Sequence, residues 1–274
     1  MTKLDHQQLE IFKRDSILCL GQVFTAQEMA LVRSAMDTVL RDTPQKVVIE
    51  RENDDDPTSP IRSIMGWEQA HPVLDHFTRD KRVMDPVQSV IGRDIVFQQV
   101  KWNPKAPYSE GLPWDPHRGI TFWHHRDGVQ DPSKIVSVFI AGTDQTEENG
   151  ATYTWLGAHN LSLEEILQET DFSGLKEGET RADTGTRLSL QIKEEKLREY
   201  DERFQKKRIV GPAGTAWLLA SDNLHASAEN VSDDTRTLIA NVFRALGNHP
   251  THPRDKEYLC GTSRTRLESH DGEL

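Results

Sequence analysis

The sequence predicts a mainly β chain with helices on its flanks, and three observations carry that reading. Ile135-Val-Ser-Val-Phe-Ile-Ala141 is an almost unbroken apolar run of strand length, the pattern of a strand buried on both faces. Gly211-Pro-Ala-Gly-Thr-Ala-Trp217-Leu-Leu-Ala220 reads as a turn followed by a buried strand, and Thr235–Phe243 alternates as a further strand should. Helical periodicity is confined to the N-terminal part and to one charged stretch between strands.

Taken in order, Leu4, Ile11 and Phe12 place an amphipathic helix ahead of a strand at Ile17–Leu20. Thr25 and Glu28 form a capping box, which satisfies two orphan backbone N–H groups and opens a helix whose apolar face is Met29, Val32, Met36, Val39 and Leu40. Both helices are expected to pack on the outside of the sheet. Glu50–Pro60 is acidic and rich in turn formers, so it reads as a loop; its run of aspartates lacks a His or Cys companion, which favours a solvated tip over a metal site. A helical turn from Pro86 leads into a strand, with Val96–Trp102 alternating. Pro104–Gly119 is too rich in proline for regular structure and reads as a loop. Trp114 and His117 within it could form one wall of a pocket, or Trp114 could simply tack the loop down.

Thr143–Gly150 is a turn, and Ala151–Trp155 continues the sheet. Asn160–Lys207 is a charged excursion with helices at Leu163–Leu167 and Lys193–Lys207 around a Gly/Asp/Thr-rich middle. The 160–207 segment, inserted between core strands, reads as a lid over the barrel mouth, with a solvated ornament as the alternative. From about residue 250 the chain is polar and reads as a partly ordered tail.

At 274 residues and 35% hydrophobic content, the chain is expected to be a single domain, 1–274, around one core. A net charge of −11 argues against nucleic acid and anionic membranes as partners. No apolar run is long enough to span a membrane, and the N-terminus lacks the basic start and apolar stretch of a signal peptide, so a cytoplasmic monomer or homodimer is expected. Cys19 and Cys260 lie far apart and read as reduced thiols, with Cys19 a core residue of Ile17-Leu-Cys-Leu20.

The chemistry is concentrated in two segments. Trp123-His-His-Arg-Asp127 lies mid-chain, and His225-Ala-Ser227-Ala-Glu-Asn230-Val-Ser-Asp-Asp-Thr-Arg236 follows about a hundred residues later. Two imidazoles and one carboxylate on one face of Fe(II) leave positions open for a cosubstrate and oxygen. A guanidinium can then hold a carboxylic acid bidentately. On a strand, side chains at i and i+2 share a face, so His125 and Asp127 are expected together as ligands, with His124 facing away. A surface strand of solvated charges is the alternative for that tripeptide taken alone. His225 is expected at a strand end after Ala220, and a hairpin through the turn at 230–234 would bring Arg236 back beside it.

These residues resemble the phytanoyl-CoA dioxygenase family, Fe(II)- and 2-oxoglutarate-dependent oxygenases with a double-stranded β-helix (jelly-roll, cupin-like) core. The resemblance runs from Trp123 through Glu148-Asn-Gly-Ala-Thr152 and Gly157-Ala-His159 to His225, Ser227, Asn230, Ser232 and Arg236. It extends to Phe12-Lys-Arg-Asp15 and Thr25-Ala-Gln-Glu28 near the N-terminus. Within the family the chain is similar to bacterial hydroxylases of free amino acids and of ectoine, through Gln98-Gln99-Val-Lys101-Trp102-Asn103. The resemblance implies that His125, Asp127 and His225 bind Fe(II), and that Arg236, helped by Ser227, clamps the far carboxylate of 2-oxoglutarate. It further implies Gln99 and Asn103 at the cosubstrate, O2 as second cosubstrate, a small-molecule substrate near Arg62, Lys101, Trp114 and Trp123, and a structural turn role for His159. Two departures stand out: His124 intervenes between Trp123 and the first expected ligand, and Gln98 stands where a His is usual.

The implied activity is hydroxylation of an unactivated C–H in a small polar metabolite, such as an amino acid or natural-product intermediate. In halogenating relatives Ala or Gly replaces the carboxylate ligand, so Asp127 argues against halogenation. Two other readings stay open. A zinc hydrolase could use the same three ligands but leaves Arg236 unexplained; a catalytically silent cupin would bind a small ligand without turning it over.

Overall fold

The computed structural model describes residues 3–51, 55–108, 114–173, 183–184, 187–188, 190–252, 265–271 and 274. In chain order the first half holds α1 (His6–Asp15), β1 (Ile17–Gln22), α2 (Ala26–Asp42), β2 (Val48–Arg51), β3 (Ile61–Met65), α3 (Pro72–Thr78), α4 (Lys81–Ile91), β4 (Ile95–Lys105), β5 (His117–Arg118), α5 (Gly119–Asp127) and β6 (Ile135–Ala141). The second half holds β7 (Thr152–Trp155), α6 (Leu163–Glu169), β8 (Thr170–Asp171), β9 (Asp183–Thr184), β10 (Arg187–Leu188), β11 (Gln191–Ile192), α7 (Glu194–Arg203), β12 (Lys206–Arg208), β13 (Thr215–Ala220), β14 (Leu224–Ser227) and β15 (Arg236–Ala245).

Two antiparallel sheets organise the chain. The large one runs β1-β13-β6-β15-β4-β3-β2 and the small one β12-β7-β14-β5. β6, β13 and β15 lie in the interior of the large sheet and are covered on both faces, which explains their uniform hydrophobicity. On β6, Val136, Val138 and Ile140 pack beneath the helices with Met29, Val32, Met36, Leu74, Met84 and Val87. Phe139 and Ala141 belong to a separate apolar cluster on the other face, with Trp217, Leu219, Leu238 and Ala240. The same two-residue alternation therefore builds the main core on one side of the sheet and lines the interior on the other.

The N-terminal helices form as their end signals require. Asp5 caps α1 and Thr25 caps α2, each with a complete capping box. In the second, Thr25 Oγ1 accepts the Glu28 N–H at 3.2 Å, and Glu28 Oε2 accepts the Thr25 N–H at 2.7 Å. Phe12, Met29, Val32, Met36 and Val39 are buried against the large sheet, as their spacing predicts.

Several expectations change. Glu50 and Arg51 belong to β2, paired with β3, because Val48-Ile-Glu-Arg and Ile61–Met65 extend the large sheet outward. Within 104–119, Pro104 and Lys105 end β4, and His117–Arg118 form β5. The segment 119–127 is a helix, not a strand. Gly128, at φ 74°, ends it in the left-handed conformation that glycine favours, and its N–H donates to the carbonyls of His124 and Trp123. Cys19 is exposed rather than core, since Leu18 and Leu20 take the covered face of the edge strand β1. His225 and Arg236 do not share a hairpin: β14 lies in the small sheet and β15 in the large one. Cys260 and most of the 172–186 stretch lie outside the described residues. The described end of the tail is tied down: the Leu267 N–H donates to the Ile95 carbonyl at 2.9 Å, and Leu267 and Leu274 pack on the main core. No helix among the described residues is long and apolar enough to cross a membrane.

The turn before β13 makes one glycine indispensable. Gly214 sits at φ +85°, and a Cβ there would lie 2.0 Å from the Phe24 carbonyl oxygen. Gly214→Ala is therefore expected to cost more than about 2 kcal/mol, from left-handed strain plus a clash with rigid backbone. A drop in the urea midpoint at unchanged slope would report it.

Candidate active site

The two sheets line a shared pocket, concave and lined by both apolar and polar groups, as small-ligand sites are. From the large sheet come Gln99, Lys101 and Asn103 of β4, Ser137 and Phe139 of β6, and Arg236, Leu238, Ala240 and Val242 of β15. Each set repeats at i+2, as one face of a strand must. From the small sheet come Thr152, His225, Ala226, Ser227 and His117, with Gly119, Phe122, Trp123 and Arg126 of α5 and Trp114 filling the side.

Two imidazoles meet at the small sheet. β14 pairs with β5 in antiparallel register, with His225 opposite His117, and the ring centroids lie 4.3 Å apart. Each ring is held in the same way. His225 Nδ1 is 3.0 Å from the Asn223 carbonyl oxygen, and His117 Nδ1 is 2.6 Å from that of Asp115. A carbonyl only accepts, so each Nδ1 must carry the hydrogen and each Nε2 the lone pair. That outer hydrogen bond to a carbonyl is the arrangement that orients metal-binding histidines. Burial lowers the pKa of His225 to about 4, keeping the ring neutral.

On the opposite wall, Arg236 is buried, with 1% of its surface exposed. Its Nη2 donates to the Gly150 carbonyl, while Nε has no hydrogen-bond partner among the described residues, and no carboxylate pairs with it there. Desolvation alone lowers its pKa to about 10. A buried cation without a counter-charge is costly, and the cavity is where an anionic ligand would supply one. Nearby, Asn103 Oδ1 is also buried without a hydrogen-bond partner among the described residues. Ser227 Oγ accepts from Lys105 Nζ at 2.9 Å and from the Trp114 N–H at 3.1 Å. Burial lowers Lys105 to about 6, and the charge of Arg236, its register partner across β15 and β4, adds to the effect.

Of the expected substrate residues, Lys101, Trp114 and Trp123 line the cavity, and Arg62 does not. The Arg62 guanidinium lies 4.3 Å from the Trp114 ring centroid, and Lys101 Nζ lies 5.3 Å from it, a cation–π arrangement. Trp123 Nε1 is 3.5 Å from Gln99 Oε1, and Gln99 Nε2 is 3.3 Å from Met65 Sδ.

His125 and Asp127 do not join this group. Successive helical residues are separated by about 100°, so two positions apart on α5 they diverge instead of sharing a face. Neither lines the cavity, and no group of three His, Cys, Asp or Glu suited to a metal occurs among the described residues. Asp127 is fully buried, accepting from Gln98 Nε2 at 2.7 Å and from Arg126 Nε at 3.0 Å. It is a structural lock that joins the end of α5 to β4. His125 is half-buried near the Phe172 ring, at 5.9 Å, and burial lowers its pKa. His124 Nδ1 meets the Val129 carbonyl at 2.9 Å. His159 Nε2 meets the Lys13 carbonyl at 2.8 Å, tying its turn to α1.

Sequence reasoning treated His117 only as a wall and did not consider Gly119 or Lys105. The signal for His117 is faint, a histidine two residues before a glycine in a proline-rich stretch. The signal for helix α5 was stronger: Gly128 follows a basic last turn, a C-terminal pattern.

The fold and this interior define an enzyme of the double-stranded β-helix class. Residues 12–238 match the family described as Phytanoyl-CoA dioxygenase (PhyH), and the chain belongs to that family. It is 24% identical over 256 residues to L-proline trans-4-hydroxylase of Streptomyces griseoviridis, covering 93% of this chain and 91% of that protein. Crystal structures of EctD from S. alaskensis superpose with the fold. The form with bound Fe gives a TM-score of 0.78 at 21% identity, covering 99% of this chain and 89% of that one. The form with 2-oxoglutarate and 5-hydroxyectoine gives 0.74 at 22%, covering 94% and 84%.

Two outcomes follow from this geometry. Asp127→Ala breaks a buried ion pair with Arg126 and removes the acceptor of Gln98, a change that typically costs about 3–5 kcal/mol, so thermal unfolding should fall by on the order of 10 °C; His125→Ala should fall far less. Lys105 titrates below the ordinary 10.5, so between about pH 6 and 10.5 the unfolded chain holds the extra proton and stability rises with pH. A dicarboxylate placed at Arg236 should offset the neighbouring positive charges of Arg236 and Arg62, reinforce the smaller attraction of Glu229, and raise Lys105 again. Calorimetry at neutral pH in buffers of different ionisation enthalpy should then show proton uptake on binding.

Proposed function

We propose that this chain is an Fe(II)- and 2-oxoglutarate-dependent oxygenase that oxidises, by default hydroxylates, an unactivated C–H of a small polar metabolite. The observation that carries the reading is Arg236: a guanidinium enclosed in the cavity, without a protein carboxylate among the described residues, opposite a pair of imidazoles. A planar fork of donors is suited to one end of a dicarboxylate. A zinc hydrolase has no use for it.

The donor set fits a divalent metal at the small sheet. His117 and His225 would hold it through Nε2, each ring oriented by its backbone carbonyl. Bound iron, with 2-oxoglutarate and O2, supplies the oxidising power for the C–H bond. His125 and Asp127 are not carried forward as ligands, because α5 turns them away from each other and from the cavity. Arg236 would clamp the far carboxylate of 2-oxoglutarate, with Ser227 and Lys105 beside it and Asn103 and Gln99 completing the polar lining. Lys101, Trp114 and Trp123, with Arg62 stacked behind Trp114, would orient a substrate bearing its own carboxylate or amine, in keeping with the amino-acid and ectoine chemistry named in the relatives.

The 160–207 insertion would act as a lid within the single domain. Its anchors are next to the site. Arg118, between His117 and Gly119, donates to Glu169 at 3.3 Å, and Tyr200 Oη donates to the same carboxylate. The Ile192 N–H donates to the Pro116 carbonyl at 3.1 Å. Closing the mouth would exclude water from the reaction.

Anaerobic addition of Fe(II) and 2-oxoglutarate should give a weak visible metal-to-ligand charge-transfer band, and aerobic incubation with small amino acids and amines in halide-free buffer should give succinate and a product heavier by one oxygen. Arg236→Ala should raise the 2-oxoglutarate requirement by roughly two orders of magnitude or more, since removing one partner of a buried pair costs about 3–5 kcal/mol. No band in the wild-type protein, or an Arg236→Ala variant with unchanged 2-oxoglutarate dependence, would refute the assignment.

A further inference from the structure

We propose that the metal held by His117 and His225 takes its third donor from solution as a halide, at the position of Gly119, and that the enzyme transfers that halide to carbon. The proposal rests on the oxygenase reading above and deepens it.

A facial set of two imidazoles and one carboxylate is what such iron sites ordinarily present. The carboxylate expected two residues beyond the first histidine is absent here, because that residue is Gly119. Nothing else in the lining replaces it. The cavity residues include Gln99, Asn103, Ser137, Thr152 and Ser227, but no Asp or Glu among the described residues. Asp127 does not line the cavity and is committed to Arg126 and Gln98.

Packing keeps the position bare. A Cβ at Gly119 would lie 2.7 Å from Trp123 Cη2 and 3.0 Å from Cζ3, so a side chain there would have to displace an indole that is itself buried. Charge balance points the same way. A divalent metal, a dianionic 2-oxoglutarate and the Arg236 guanidinium leave a net positive charge in a buried site, before Lys101 and Lys105 are counted. A bound monoanion offsets part of a charge whose enclosure would otherwise be costly.

The overall transfer balances. R–H, 2-oxoglutarate, O2, a halide ion and one proton give R–halogen, succinate, CO2 and water. Decarboxylation of 2-oxoglutarate supplies two electrons to O2. Breaking the C–H bond and forming the carbon–halogen bond supplies the other two, and the hydrogen leaves in water.

The test titrates the anaerobic Fe(II)·2-oxoglutarate enzyme with sodium chloride and sodium bromide, against sodium sulfate at matched ionic strength. A saturable shift of the charge-transfer band with either halide, and none with sulfate, is expected. In Gly119→Asp the band should persist and the halide shift vanish. His117→Ala should lose the band, and His125→Ala should keep it. With an accepted substrate, bromide should give a brominated product in the wild type and an oxygenated one in Gly119→Asp. A wild-type band that ignores halide, or loss of the band in His125→Ala with retention in His117→Ala, would overturn the proposal while leaving an oxygenase. Absence of any band in the wild type would instead remove the oxygenase reading itself. If Gly119→Asp fails to fold, the wild-type titration and the two histidine variants still decide.

Discussion

The pairing of β14 with β5 is the constraint on which the interior depends. β14 is only four residues long, yet it is hydrogen-bonded on both edges, to β7 on one side and β5 on the other. That double pairing sets the register in which His225 lies opposite His117. A slip of β14 by one residue would turn His225 out of the cavity and carry Leu224 into it. The two Nδ1–carbonyl hydrogen bonds then set each ring's rotation, so backbone hydrogen bonding sets both the position and the direction of the donors.

A second constraint acts through charge. Arg126, Asp127 and Gln98 form a buried polar cluster between α5 and β4. Gln98 falls at an irregularity in the β4–β15 pairing, where Val242 opposes Gln99 and Phe243 opposes Phe97. The extra residue lets Phe97 and Val100 both face the helices while Gln98 turns to Asp127. Such bulges re-aim side chains near functional sites. The carboxylate most tempting as a ligand thus closes the end of a helix.

The insertion between β7 and β13 is tied to the same few residues. Arg118 is buried and donates to the carbonyls of Ala158 and Asp222 as well as to Glu169. Tyr200 stacks near its guanidinium and is pushed up to about 12 by burial and by its bond to Glu169. Movement of the insertion would therefore be felt through Arg118 by the residues on either side of it, His117 and Gly119. A segment that reads in sequence as a lid is hydrogen-bonded to residues beside the cavity.

Local signals determined much of the fold. The capping boxes at Asp5 and Thr25, the turn at Gly211–Gly214 and the apolar runs of β6 and β13 each specify their element through interactions within a few residues, so they are legible one segment at a time. The residues His225, Ser227 and Arg236, and the lining formed by Gln99, Lys101, Asn103, Trp114 and Trp123, were likewise readable as a set. What tertiary structure decided was partnership. Whether Trp123–Asp127 is strand or helix depends on Ile120 and Trp123 finding an apolar pocket with Val129 and Ile135, and on Gly128 ending the turn. That choice reversed which histidine stands beside His225. Lys105 next to Arg236, and His117 opposite His225, are cross-strand neighbours more than a hundred residues apart in the chain, and register across a sheet is written in no local pattern.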